Sequence, residues 1–199
     1  MPPQAGGVAV VIPTLNESES IAAVVAGLPR HVVDRVIVAD GGSTDDTIAQ
    51  ARRAGAETIE AGRGYGRACL AGAHAADDAD IIVFMDGDGA DDPAAIANMV
   101  AALRSGRHDF VIGSRARGER ERGSMAGHQI LSGLVAGALI GLFYGVRYTD
   151  MCAYRAIPRT TLLALGMREL TYGWNLEMQM RVAREIGRAS CRERVLTDV

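Results

Sequence analysis

Asp86-Gly87-Asp88 sets two carboxylates one residue apart, directly after the apolar run Ile81–Met85. Carboxylates at that spacing on a turn can share a hard, oxygen-seeking cation such as Mg2+ or Mn2+. Such a cation would neutralise a diphosphate and stabilise it as a leaving group. The tripeptide alone fits an ordinary Asp-Gly turn equally well. An EF-hand is excluded, because its sixth position would be Asp91 instead of glycine and its twelfth Ala97 instead of glutamate.

Two further polar clusters could meet a ligand. Asp40 to Thr47 (DGGSTDDT) follows an apolar run, and a carboxylate there can accept hydrogen bonds from a nucleobase edge or ribose hydroxyls. Its glycines would let backbone approach the ligand, and Ser43 or Thr44 would cap the following helix. A capped helix with no ligand explains the same residues. Gly62-Arg63-Gly64-Tyr65-Gly66-Arg67 is glycine-rich and basic, which suits a phosphate at a helix N-terminus and suits a plain loop equally. Neither a dinucleotide fingerprint nor a P-loop is present.

These clusters need elements to hold them. The pattern predicts strands at Val8–Ile12, Arg35–Ala39, Glu57–Glu60, Ile81–Met85 and Phe110–Gly113. It predicts helices at Ser18–Leu28, Thr44–Ala54, Gly66–Ala76 and Pro93–Leu103, the last with proline in its first turn. Strands alternating with helices imply an α/β fold with a mostly parallel central sheet flanked by helices. Ligands bind beyond the carboxyl ends of such strands. Pro13–Glu17, Asp40–Asp46, Asp86–Asp92 and Ser114–Arg117 all follow strands, so they should share one rim.

Composition agrees with a folded domain. Of 199 residues 48% are hydrophobic and 23% charged, and the net charge of −3 argues against a nucleic-acid partner. The three cysteines, Cys69, Cys152 and Cys191, form no CxxC pair, so reduced thiols in the cytoplasm are expected. Residues 1–7 show no basic n-region and no signal peptide. The uncharged run Gln129–Val146 is slightly short for a membrane span. Its glycines at 133, 137, 141 and 145 share a helix face, fitting close packing in a bilayer or against the domain itself. Residues 115–128 read as a charged, Gly-rich loop over the rim. Glu185–Val195 (EIGRASCRERV) breaks the preceding helical pattern and matches the translation of a common sequencing adaptor. The domain is therefore expected over 1–184, C-terminally truncated, with 185–199 a non-native read-through tail.

Taken together, Ile12-Pro-Thr-Leu-Asn-Glu17, Asp40-Gly-Gly-Ser-Thr-Asp45, Gly64-Tyr-Gly66, Met85-Asp-Gly-Asp88, Gly113-Ser-Arg115, Thr149-Asp150 and Tyr154-Arg155 resemble the family 2 glycosyltransferases of GT-A (Rossmann-like) fold, most closely the dolichyl-phosphate mannose synthase-like branch. A bacterial subgroup has a pattern like Thr171-Tyr-Gly-Trp174 followed by Glu177-Met178. The resemblance covers about Val8 to Arg184. It implies an inverting hexosyl transfer from a UDP- or GDP-linked sugar, with Mg2+ or Mn2+. Pro13, Asn16, Glu17, Asp40, Asp45, Gly64, Asp86 and Arg115 would bind the nucleotide sugar, and Asp86 and Asp88 the metal. Asp150 and Arg155 would act near the acceptor. The acceptor would be a polyprenyl phosphate, with the protein at the inner face of the plasma membrane. Its phosphate is already an anion and needs little general-base help. Arg115, Arg117, Arg120 and Arg122 could bind that phosphate, although Glu119 and Glu121 are interleaved with them. A saccharide or other hydroxyl acceptor would instead need a base, for which Asp150 is the candidate. A domain that binds nucleotide without transferring sugar is the third reading. Three departures stand out: Ala90 replaces a metal-binding glutamine, leaving Asp91 as a substitute ligand; Gly41 replaces a second aspartate; and Ser132-Gly133 replaces a Gly-Asn pair.

Overall fold

The computed structural model describes residues 6–113 and 152–185. Arg115, Asp150, the charged stretch 115–128, the run 129–146 and residues 186–199 lie outside the described residues.

Six strands form one sheet: β1 (Gly7–Thr14), β2 (Arg35–Asp40), β3 (Glu57–Glu60), β4 (Ala79–Phe84), β5 (Val111–Ile112) and β6 (Arg155–Pro158). Their order is β3-β2-β1-β4-β6-β5. The helices are α1 (Ile21–Gly27), α2 (Thr47–Arg53), α3 (Tyr65–Ala75), α4 (Ala95–Arg104), α5 (Arg159–Ala164) and α6 (Trp174–Glu185). The alternation of β-branched runs with helical stretches thus yields the expected mostly parallel α/β sheet. Val8 to Ile12 of β1 are 0% exposed, which is why that strand reads as an unbroken apolar run.

β1, β2, β3 and β4 are mutually parallel, whereas β6 pairs antiparallel with both β4 and β5. The antiparallel β6 is absent from the expected strands, because Arg155–Pro158 is short and contains both an arginine and a proline. It begins beside the carboxyl end of β4, where Arg155 pairs with Phe84, and ends where Pro158 pairs with Ile81. Residues 165–173, which join α5 to α6, therefore return to the rim at which the parallel strands end.

The chain leaves β1 toward β2 and β3 and later returns to β4 on the other side. Strand order reverses between β1 and β4, and a crevice opens at such a switch point. At the opposite edge Arg35 pairs with Glu57 at 2.7 Å and with Asp78, fastening the start of β2. Trp174 is fully buried and meets Phe84 edge-on at a centroid distance of 6.2 Å, seating the start of α6 on β4.

Candidate active site

Three strand-end loops meet at the switch point, and their side chains knit them together. After β1 the chain passes through Asn16 with φ +57°, the left-handed region that asparagine tolerates better than most residues. Asn16 Oδ1 accepts the Thr44 amide at 2.8 Å, and the Asn16 amide donates to Ser43 Oγ at 2.8 Å. The Glu17 amide donates to Thr47 Oγ1 at 2.8 Å, and the Ser18 amide donates to Asp45. Asn16→Ala should therefore lose about 1–2 kcal/mol, from the left-handed backbone and one hydrogen bond. Asn16→Gly, which keeps the backbone free, should lose less than the alanine variant in urea unfolding.

The second loop is organised by its own carboxylates. Asp40 is 2% exposed and accepts the amides of Gly42 and Ser43, each at 2.8 Å, and the Ser43 hydroxyl at 2.5 Å. Asp45 accepts the Thr47 hydroxyl and amide, and these bonds hold its carboxyl down at about 2. Helix α2 starts at Thr47, with Asp46 at the cap position. Ser43 and Thr44, expected to cap it, instead bond back to Asp40 and Asn16. Asp40 and Asp45 shape this loop, and Pro13 is buried at the end of β1.

The third loop carries Asp86-Gly87-Asp88. Asp86 Oδ1 accepts the Tyr65 hydroxyl at 3.4 Å, and the Asp86 amide donates to Asp91 at 3.2 Å. Asp88 Oδ1 accepts the Ala90 amide at 2.9 Å, and the Ser20 hydroxyl donates to the Gly87 carbonyl at 2.7 Å. Asp91 is 5% exposed and holds this turn by accepting the Asp86 amide.

Glu17 reaches from the first loop into the third. Its Oε2 is buried without a hydrogen-bond partner and would lie 1.9 Å from a Cβ at Gly87, so any larger residue there would have to displace the Glu17 carboxyl. Burial, with the charges of Asp88, Asp86 and Asp45, pushes the Glu17 carboxyl up from 4.5 to about 7. A carboxyl raised in the fold binds its proton more tightly folded than unfolded, so stability is greatest below the ordinary value. Metal-free protein should lose stability as pH rises from about 4.5 through about 7, and Glu17→Gln should flatten that slope. Calorimetry in chelator across that range reads the difference.

Two expected site residues are placed differently. Gly64 has φ +127°, and a Cβ there would lie 2.4 Å from the Leu170 carbonyl oxygen. At Gly66 it would lie 2.5 Å from that of Glu169. The amides of Gly66 and Arg67 donate to the Thr171 and Leu170 carbonyls at 3.2 and 3.0 Å. The start of α3, read as a phosphate seat, is thus taken by the 169–171 backbone. Arg155, expected near the acceptor, is 0% exposed, and its guanidinium donates to the carbonyls of Cys152, Ala153 and Asn175 and lies over the Phe110 ring. It ties β6 to α6 behind Asp86. Tyr65 is the contact that sequence reasoning passed over; its neighbours Gly64 and Gly66 drew attention to backbone instead.

Among the described residues no three His, Cys, Asp or Glu side chains form a ready metal cage, and no helix is long and apolar enough to cross a membrane. Asp86 and Asp88 offer two hard oxygen donors at the crevice. Mg2+ in phosphate-binding sites typically takes one or two carboxylates plus substrate oxygens and water. Burial first, and then the charges of Asp88, Asp86 and Asp45, raise the Glu17 carboxyl, and a cation there would offset those charges.

Known proteins resemble the chain in sequence and in fold. An uncharacterized glycosyltransferase of Mycobacterium tuberculosis is 35% identical over 182 residues, covering 88% of this chain and 78% of that protein. The undecaprenyl-phosphate mannosyltransferase of Micrococcus luteus is 31% identical over 193 residues, covering 89% of this chain and 78% of its own length. The crystal structure of glucosyl-3-phosphoglycerate synthase from M. tuberculosis, with Mn2+, uridine-diphosphate-glucose and phosphoglyceric acid, has the same fold. It matches with a TM-score of 0.74 at 24% identity, over 94% of this chain and 69% of that one. The model of glycosyl transferase family 2 matches residues 9–170, from the second residue of the described β1 core to the loop seated on α3. A sheet whose order reverses at the crevice, with carboxylate loops at that point and this match across most of its length, makes the chain a member of glycosyl transferase family 2.

Proposed function

We propose that the protein transfers a hexose from a UDP- or GDP-linked sugar to a polyprenyl phosphate, with inversion, as in the dolichyl-phosphate mannose synthase-like branch. The observation that carries this reading is the convergence of Glu17, Asp86 and Asp88 at the switch point, where Gly87 is pressed against the Glu17 carboxyl. The loop after β2, with Asp40, Asn16 and Asp45 fixing its shape, lies on the nucleoside side. Pro13 and Glu17 complete that side, and Asp86 and Asp88 would hold Mg2+ or Mn2+ against the diphosphate. The divalent ion, when bound, supplies charge neutralisation of the leaving diphosphate. The M. luteus relative is named for a polyprenyl-phosphate acceptor, which supports the acceptor class. The glucosyl-3-phosphoglycerate synthase crystal holds Mn2+ and a uridine diphosphate sugar, which supports the donor class.

The chemistry is a single displacement. An acceptor phosphate oxygen forms the new bond to the anomeric carbon as the bond to the diphosphate breaks, and the diphosphate departs with the electron pair. An anionic acceptor needs no proton removed, so positioning and charge stabilisation carry the rate. Tyr65 and Asp91 contribute by fixing Asp86 through its side chain and its amide. Arg115 would meet the donor phosphates and Asp150 the acceptor. With a hydroxyl acceptor, Asp150 would have to take the proton.

Transfer of labelled hexose from UDP-glucose or GDP-mannose into undecaprenyl phosphate, followed by solvent extraction, tests the reading. Mn2+-dependent label in the lipid phase is expected. Label appearing only on a soluble saccharide acceptor, and lost in Asp150→Asn, would favour the hydroxyl-acceptor reading instead.

A further inference from the structure

The 168–173 loop is fixed unusually firmly for a surface segment, yet it displays a bare aromatic ring. Tyr172 is 88% exposed, by far the most open of the large apolar side chains among the described residues. Around it the backbone is pinned from three sides. The Glu177 carboxylate accepts the Arg168 amide at 3.0 Å and the Glu169 amide at 2.7 Å. The Glu169 carboxylate accepts the Thr171 amide at 2.8 Å and its hydroxyl at 2.5 Å. The Leu170 and Thr171 carbonyls are held by the start of α3. Trp174, two residues on, is buried against Phe84 of β4.

Position gives this ring a use. Nucleoside-side groups lie in the loops after β1 and β2, and the diphosphate-side carboxylates follow β4. Tyr65 is hydrogen-bonded to Asp86, and the residues on either side of Tyr65, Gly64 and Gly66, are in contact with the 168–173 loop, so that loop lies two contacts from Asp86. A sugar linked to a diphosphate held at Asp86 would be within reach of that loop. Leaving a large aromatic ring in water costs hydrophobic free energy, and anchoring its loop gives a flat surface that loses little entropy on binding. The apolar C–H face of a pyranose is a fitting occupant for such a ring.

We infer that Tyr172 is a binding residue for the transferred hexose, stacking on its pyranose ring, on a loop held in place by Glu177, Glu169 and the start of α3. The inference rests on the donor-site reading above and names the residue that recognises the sugar rather than the nucleotide. A sugar-specific contact of this kind should separate two affinities that a purely structural residue would move together.

The test is a pair of titrations in Mn2+, UDP against UDP-glucose and GDP against GDP-mannose, on the unaltered chain, Tyr172→Ala and Tyr172→Phe. Because the side chain is exposed, the alanine variant should melt within about 2 °C of the parent, which certifies its fold. Tyr172→Ala should weaken nucleotide-sugar binding about fivefold to tenfold while free nucleotide binding stays within about twofold. Tyr172→Phe, which keeps the ring, should retain most of the parent affinity. Equal weakening of sugar and nucleotide, or no weakening of either, would overturn the inference, as would a phenylalanine variant as poor as alanine. If vesicle binding fell in Tyr172→Ala and donor affinity did not, the ring would belong to a lipid-facing surface and the sugar assignment would be wrong. Failure of the parent chain to bind any of the four nucleotides would sink the donor-site reading itself, and this inference with it.

Discussion

Asp88→Ala should lower hexose transfer on the order of a hundredfold or more, the scale expected when a group stabilising transition-state charge is removed. The same change should abolish the gain in nucleotide affinity on adding Mn2+. Asp88 is exposed, so its removal takes nothing from the core. After burial, Asp88 is the leading cause of the raised Glu17 carboxyl. Without it that carboxyl should move back toward its ordinary range, and the metal-free protein should become somewhat more stable above pH 7. Loss of the metal response together with unchanged or improved metal-free stability is a signature that general misfolding does not give. Steady-state transfer rates, with melting in chelator and in Mn2+, read both halves. An Asp88→Ala protein that kept its Mn2+ response would remove Asp88 from the metal site.

Gly64→Ala should have the largest effect on stability. The glycine sits at φ +127°, where a side chain is strained whatever room it has. Its added Cβ would also meet the Leu170 carbonyl oxygen at 2.4 Å, and that atom belongs to a backbone with no rotamer to retreat into. Strained backbone costs roughly 1–3 kcal/mol and overpacking a comparable amount, so a loss of about 3–5 kcal/mol is expected. For a chain of this size that lowers the melting temperature by about 10 °C or more. Because the cost arises between α3 and the 169–171 backbone, it should appear in full without any nucleotide. A drop of less than about 2 °C in ligand-free protein would show that Gly64 is not the seat of that loop. A defect seen only as lost nucleotide affinity would return it to the ligand-binding role that its sequence neighbourhood suggests.

The elements were legible where one physical signal dominated. Val8–Ile12 and Ile81–Met85 are continuous apolar runs because both strands are buried in the middle of the sheet, and their polar followers had to share a rim. The place of Asp86 and Asp88 on a strand-end loop was legible because the DGD turn directly follows a buried apolar strand. What stayed hidden depended on contacts between distant segments. No local pattern says that Gly64 and Gly66 make room for residues 169–171, over a hundred positions later, so a glycine-rich basic stretch reads naturally as a phosphate loop. Arg155 was placed near the acceptor by the family resemblance alone; here three carbonyls and the Phe110 face receive it instead. The antiparallel β6 escaped notice because four residues containing arginine and proline carry no strand periodicity. Ser43 and Thr44 are good helix caps by residue type, yet Asp40 and Asn16 claim them through pairings made by the fold.

Asp86 and Asp88 would create a cation-dependent site for a nucleoside diphosphate at the switch point between β1 and β4. Its most direct measurement is a calorimetric titration of the chain with UDP and with GDP, each in Mn2+ and in chelator. Saturable binding of one of them in Mn2+, falling at least about tenfold in chelator, is the predicted result. Equal affinity with and without the ion, or no binding of either nucleotide, would contradict it.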